Sequence, residues 1–589
     1  MDGRSLAPRQ ELNARSVAVA LVVAALIGAS YPLIVLKLGF GPNISVVSAF
    51  FGYLLLSAVG LFTGLRPNRL ENNLVQTAGT TAGQAGFMCV LLAAFDMLNS
   101  KPELHFSVHL TAVQTFLWLT VAGLLGVLLA VPLRRHYLET ENLPFADGVA
   151  TGETLTVLED PKKAKSRARV LGLGLGMSGT VTWLQLGYPA SLRFLPEALY
   201  FGASGKALRL GLNWSLLSFG TGLLVGARVT LSMGLGMLAS WVVLPPLLFE
   251  RHVIEGLTFA QTVRWVMWPA TGLMVSGGLT TLALKWRLVL KTFGSFRMAE
   301  LSGSGSTDFP MRWVLGGVVT LGAALCLIQS VSLGMPVWAT LSSLVLSVPL
   351  MLVGIQVLGE TNWAPISVMA NMMQGLFAVL MPGQVTANMI ASGMSGTIAG
   401  HGETLMQDYK AGQIVGASNR HLTYLQLAAV PVGSLAVALV YPVLRDRYGV
   451  VDQPGHAAEL SSPVSVKWAG FAELLSRGLG ALPAGCGTAL LVGCAAGIAL
   501  ALGESTRHRR FVPSATGIGI GMLIPGASVM AMVAGALAHS GWRWRARASQ
   551  EAFSVPLASG FIAGEALVAV VLAVAAAVAL ATGVDLRGK

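Results

Sequence analysis

Long apolar runs separated by short polar stretches dominate the chain. Apolar windows fall at about 17–37, 44–65, 74–98, 111–133, 169–190, 208–226, 229–249, 265–290, 313–332, 337–358, 365–381, 384–400, 421–443, 482–502, 511–539 and 553–583. Most are far longer than the roughly 4–8 residues of a buried strand and close to the roughly 20 needed to cross a bilayer as a helix. The pattern predicts an all-α, polytopic integral membrane protein with about 14–16 transmembrane segments, some of them broken or re-entrant.

The polar stretches order these windows. Residues 1–16 read as a cytoplasmic N-terminal tail, 17–290 as a first transmembrane half and 291–312 as a linker, which contains Ser302-Gly-Ser-Gly-Ser306. Residues 313–583 read as a second half and 584–589 as a tail. Within the second half, 444–481 is a hydrophilic loop whose stretch Val464 to Leu479 has the mixed charge of an interfacial helix. Arginines and lysines fall on one side through the first half and place the N-terminus in the cytoplasm. That alternation fails around 511–539, where arginines flank both ends and Pro525-Gly526 interrupts the middle, the pattern of a bent pair of half-helices.

Composition strengthens this reading. Of 589 residues 54% are apolar and only 11% charged, less than half the charged share of average soluble proteins. With a mean hydropathy of +0.68, a soluble multidomain enzyme, a disordered chain and a disulfide scaffold are excluded. The net charge of +12 belongs to cytoplasmic loops, since no basic run is interleaved with aromatics as nucleic-acid binding requires. The four cysteines lack metal-type spacing, so neither a metal nor a cofactor is expected.

The chain also repeats itself. Shifted by 412, residues 121–155 align without a gap to 533–567, with 12 of 35 positions identical, among them Arg135, Glu139, Pro144, Gly148, Gly152 and Glu153. A third Gly-Glu-Thr-Leu follows at 402–405. Repeated units with broken segments are a common build of secondary transporters.

Candidate chemistry lies in these repeats and in polar stripes. Glu153, Glu403 and Glu565 each follow a glycine beside an apolar run; with Glu360 and Asp147 they are the candidates for a proton site. A carboxylate at membrane depth costs about 2.5–3.5 kcal/mol on insertion scales and usually faces a functional cavity. Desolvation favours its neutral form, which suits a group that takes up and releases a proton. The plainer reading is a glutamate at a helix end capping backbone amides.

Asn73, Gln76, Thr77, Thr80 and Gln84 recur at helical spacing and share one face among small residues. Similar amides occur at Asn371, Gln374 and Asn388, preceded by Asn362-Trp363 and Pro365, which breaks the helix. Such a face either lines a substrate cavity or joins helices by hydrogen bonds. Asp408 and Lys410 read as an ion pair at a cytoplasmic helix end or, more sharply, as a gating contact. Gly174 to Gly179 matches GxGxxG but lies in an apolar span without a preceding strand, and His401-Gly-Glu403 lacks zinc spacing.

Four strings, Glu71-Asn-Asn-Leu-Val-Gln-Thr77, Leu143-Pro-Phe-Ala-Asp-Gly148, Gly359-Glu-Thr-Asn-Trp363 and Leu405-Met-Gln-Asp-Tyr-Lys410, together resemble the oligopeptide transporter (OPT) family, including its yellow-stripe-like branch. The alanine- and arginine-rich composition is of a bacterial kind. The resemblance implies a proton-coupled importer of small peptides or metal chelates, with repeated units around a central cavity and assembly as a homodimer. The expected partners are therefore a small-molecule substrate, protons and the bilayer of the cell membrane, with no nucleic acid. One charge across 100 mV supplies about 2.3 kcal/mol and one pH unit about 1.36 kcal/mol, roughly 3.7 kcal/mol per proton and several hundredfold accumulation. No Walker loop is present to supply ATP-driven work. A passive channel or facilitator and, less favoured, an intramembrane enzyme are the alternatives.

Overall fold

In the computed structural model, residues 11–38, 44–187, 194–196, 198–284, 309–361, 364–451, 458–460, 462–478, 485–507 and 511–582 are described. The helices are α1 (Ala14–Leu38), α2 (Ile44–Thr63), α3 (Arg69–Phe87), α4 (Cys89–Asn99), α5 (Ala112–Ala130), α6 (Ala146–Leu158), α7 (Pro161–Leu186), α8 (Gly202–Ala207), α9 (Leu216–Val225), α10 (Ala227–Leu238), α11 (Leu244–Glu250) and α12 (Phe259–Leu284). They continue as α13 (Met311–Leu333), α14 (Val337–Thr361), α15 (Ile366–Leu380), α16 (Val385–Val415), α17 (Asn419–Tyr448), α18 (Pro463–Arg477), α19 (Cys486–Glu504), α20 (Ala515–Leu523), α21 (Gly526–Arg545) and α22 (Arg547–Thr582). The fold is all-α apart from a short antiparallel pair, β1 (Ala198–Tyr200) and β2 (Gly211–Asn213).

Among the described residues, 10 helical segments are long and apolar enough to cross a membrane. Other apolar windows form shorter or more polar helices. The window 208–226 first passes through β2, and its helix starts only at Leu216, where Ser215 caps the first turn. The window 384–400 is the first half of the 31-residue α16, which runs on through Asp408 and Lys410 to Gly416. Its polar residues face protein: Asn388, Ser392, Ser395, His401, Glu403 and Asp408 are all buried. A helix does form at Val464, but α18 is not a surface element. Its Trp468 is wholly buried, and the helix packs on α4, α12 and α15.

Helix α1 packs along α3 and α17, and α16 passes between α3, α5, α6, α14 and α15. At Ile524-Pro525 the chain breaks between α20 and α21, leaving a carbonyl without its helical donor. The buried indole of Trp241 donates to the Ile524 carbonyl at 3.0 Å, satisfying that group inside the protein.

The two repeat copies share a packing device. In α6, Gly148 and Gly152 bring the helix against α16: a β-carbon on Gly148 would lie 2.6 Å from the Gln407 carbonyl, and one on Gly152 2.8 Å from Ile414. Their counterparts Gly560 and Gly564 in α22 press on α7 at Leu171 and Leu175. The copies differ where the first turns through left-handed Asn142 and Phe145 before α6, whereas the second carries Pro556 inside α22.

Candidate functional site

A cavity of about 380 Å³ opens among α1, α3, α12, α16, α18 and α20, within the range of small-molecule sites. The sequence-selected residues on its wall are Thr80 and Gln84 from α3, Asp147 from α6 and Glu403 from α16. Four residues of one helical stripe therefore divide by depth: Thr80 and Gln84 reach the cavity, while Asn73 and Gln76 are buried outside it.

Glu403 is only 2% exposed, and neither carboxylate oxygen has a hydrogen-bond partner. It is held by shape. Gly354 of α14 leaves room for it, since a β-carbon there would stand 2.5 Å from Oε1 and 2.6 Å from the Met369 sulfur. The Gln84 amide nitrogen beside the same cavity is also unpartnered.

Lys467 of α18, 7% exposed, lines the cavity too. Sequence reasoning missed it because the mixed charge of its helix suggested a solvent or headgroup surface. The signal available was Trp468 beside it, a bulky residue that needs a buried partner. The wall thus offers one ammonium, two acids, amides and hydroxyls in a largely apolar frame. That set can hold both ends of a zwitterion.

Asp408 lies behind this wall. Its carboxylate accepts from Gln76 Nε2 at 2.7 Å, Thr80 Oγ1 at 2.9 Å and Gln426 Nε2 at 2.7 Å. The expected ion pair with Lys410 does not form. Residues two apart on a helix point to different sides, and Lys410 instead lies against Gly148 of α6.

The remaining candidates scatter. Glu153 is exposed on α6. Glu565, its repeat counterpart, is 6% exposed beside a second cavity of about 260 Å³. It accepts from Lys37 Nζ at 2.7 Å, Ser215 Oγ at 2.8 Å and the Leu217 amide at 2.9 Å, and so caps the first turn of α9. Asn371, Gln374 and Asn388 are buried away from the main cavity. There Gln374 donates to the Trp468 carbonyl at 3.1 Å and Asn388 to the Gln374 carbonyl at 2.6 Å, tying α16, α15 and α18 together. Thr77 is buried with its hydroxyl unpartnered. The Glu360 side chain, Asn362 and Trp363 lie outside the described residues.

The model of the family described as OPT oligopeptide transporter protein matches residues 11–576, nearly the whole chain. The chain belongs to the OPT family. A rice relative, probable metal-nicotianamine transporter YSL10, is 23% identical, the match covering 93% of this chain and 88% of the relative. A putative oligopeptide transporter of Haemophilus influenzae is 25% identical over 87% of this chain and 88% of its own length. A putative oligopeptide transporter of Saccharomyces cerevisiae, YGL114W, is 21% identical over 87% and 88%. This OPT protein is accordingly a multi-pass membrane transporter rather than an enzyme, and its relatives are named for peptides and for metal–nicotianamine complexes.

Proposed function

We propose that this transporter imports small oligopeptides or metal–chelate complexes across the cell membrane by proton symport and alternating access, with its N-terminus in the cytoplasm. The observation that carries the reading is Glu403: a buried carboxylate, without a hydrogen-bond partner, on the wall of the main cavity. A charge left in that position is costly, so the group is best accommodated protonated, and cargo bearing an ammonium or bound cation favours its ionised form. Proton and cargo occupancy are then linked at one carboxylate. Lys467 supplies the matching contact for a cargo carboxylate, a group that peptides and amino-acid chelators share. Ala364 and Pro365, just ahead of α15, line the cavity, as do Thr516 and Ile520 of α20, the helix that ends at the Ile524-Pro525 break; irregular backbone of this kind is what rocking transporters use.

The test is uptake into proteoliposomes under an inside-alkaline, inside-negative gradient, with labelled tri- and tetrapeptides offered in parallel with an iron–amino-acid chelate. Wild type accumulates one cargo, and a protonophore collapses the accumulation. Glu403→Gln equilibrates and exchanges cargo but no longer concentrates it. Full gradient-driven accumulation by Glu403→Gln would remove this residue from proton coupling, and equilibration alone by wild type would identify a facilitator.

A further inference from the structure

We propose that Asp408 and its neighbours form a binding site for a monovalent alkali-metal cation, a site independent of the proton assignment at Glu403. Asp408 is a buried carboxylate whose hydrogen-bond partners are all neutral: Gln76, Thr80 and Gln426, with no ion pair. Both amides spend a nitrogen on the carboxylate and leave their oxygens, Gln76 Oε1 and Gln426 Oε1, buried without any partner. Because each orphan oxygen shares a carbon with a nitrogen 2.7 Å from Asp408, both lie by covalent geometry within about 5 Å of the carboxylate. Two orphan acceptors beside an uncompensated anion are an arrangement that a cation would satisfy at once.

The ligand chemistry is that of a hard ion: two carboxylate oxygens, two amide oxygens and one hydroxyl. An amide turned about its last side-chain bond exchanges oxygen for nitrogen at the same place. The Thr80 hydroxyl lies 2.9 Å from both Asp408 Oδ2 and the Thr77 carbonyl, so its one proton can turn back to Thr77 and free the oxygen as a ligand. One carboxylate balances one positive charge, whereas a divalent ion would leave net charge at membrane depth. Thr80 also lines the main cavity, giving the site a door on that side. One helical turn away Asn73, with both amide atoms unpartnered, stands against Gly412. It continues the polar path between α3 and α16.

The experiment is thermal unfolding of the purified full-length protein in sodium, potassium or choline chloride at constant ionic strength, with sodium-22 retention as a direct count. A saturable rise in Tm with sodium or potassium, absent in choline, is expected, and the more effective ion is the ligand. Asp408→Asn abolishes it, while Glu403→Gln retains it. Should Asp408→Asn fail to fold, Gln426→Leu, which keeps the carboxylate and deletes one oxygen, moves the midpoint at least tenfold. No alkali-cation effect above choline in wild type, or an unchanged midpoint in Asp408→Asn or Gln426→Leu, would overturn the site and leave the cluster as a helix-joining hydrogen-bond knot.

Discussion

Glu153 and Glu565 occupy equivalent positions 412 residues apart in two copies of one motif, yet substitution should affect them very differently. Glu565 binds Lys37, the Ser215 hydroxyl and the Leu217 amide in a nearly closed setting. Truncation to alanine leaves the first turn of α9 with an unfilled donor and removes the ion pair between Glu565 and the Lys37 ammonium. Removing one member of a buried pair typically costs about 3–5 kcal/mol. Lys37 retains 30% side-chain exposure, which places the expected loss at the lower end, about 3 kcal/mol. Glu565→Gln keeps an acceptor for Ser215 and Leu217 and loses only the charge, so about 1–2 kcal/mol is expected. Glu153→Ala removes an exposed side chain and should stay within about 0.5 kcal/mol.

Equilibrium unfolding in mixed detergent micelles, followed by the fluorescence of the 13 tryptophans, reads all three. A double-mutant cycle with Lys37→Met isolates the pair and should return a coupling of about 1–3 kcal/mol. The reasoning is refuted if Glu565→Ala is as well tolerated as Glu153→Ala, or if the cycle closes with no coupling.

Two further outcomes follow from the cavity wall. Lys467→Met should raise KM for cargo bearing a free carboxylate at least tenfold with a smaller change in kcat, while a cargo amidated at that carboxylate shows no such difference between variant and wild type; concentration-dependent uptake of the two cargos decides it. Gly354→Ala would put a methyl 2.5 Å from Glu403 Oε1, an overpacking of about 1–3 kcal/mol, and should depress uptake without loss of membrane expression, whereas Gly316→Ala, open to space, should leave uptake unchanged.

The fold class was legible because spans must be apolar where they meet lipid, and hydropathy records that requirement directly. The same logic hid α16. Its second half carries His401, Glu403 and Asp408 on a helix surrounded by protein, so an average over side chains reports polarity where the structure has burial. Helical spacing in α3 was enough to put Gln76, Thr80 and Gln84 on one face. It could not say that Gln76 would turn to Asp408, 332 residues away, while Gln84 reached the cavity. Gln426 had no local pattern to announce it, and Lys467 only the bulky Trp468 beside it, because their role is set by helices that arrive from distant parts of the chain. The repeat likewise aligned the glycines of α6 and α22, which the structure shows pressed against neighbouring helices, but said nothing of the contrast between Glu153 and Glu565. Glycine packing depends on backbone shape, which the motif specifies, whereas a glutamate's environment depends on whichever helix lies opposite.

Helix α1 brings these pieces into one mechanical argument. At one end Arg15 and Asn13 bind Glu71 at the start of α3; at the other Lys37 binds Glu565 of α22. The 22 helical steps from Arg15 to Lys37 span about 33 Å of helix, close to the thickness of the hydrocarbon core. The two ion pairs therefore stand at opposite ends of a helix long enough to cross the bilayer, and Tyr31 of the same helix lines the main cavity. A carrier that opens to one side at a time needs contacts that can be released separately at each face. Arg15–Glu71 joins α1 to α3, two helices further along the chain, a clamp of shorter range. Lys37–Glu565 joins the first spanning helix to the last described one and to the capped start of α9, so its release would loosen three elements together. In the proposed cycle the distant pair is accordingly the one whose loss opens a path, and Glu565→Gln should raise leak of cargo towards the Lys37 face while Glu71→Gln does not.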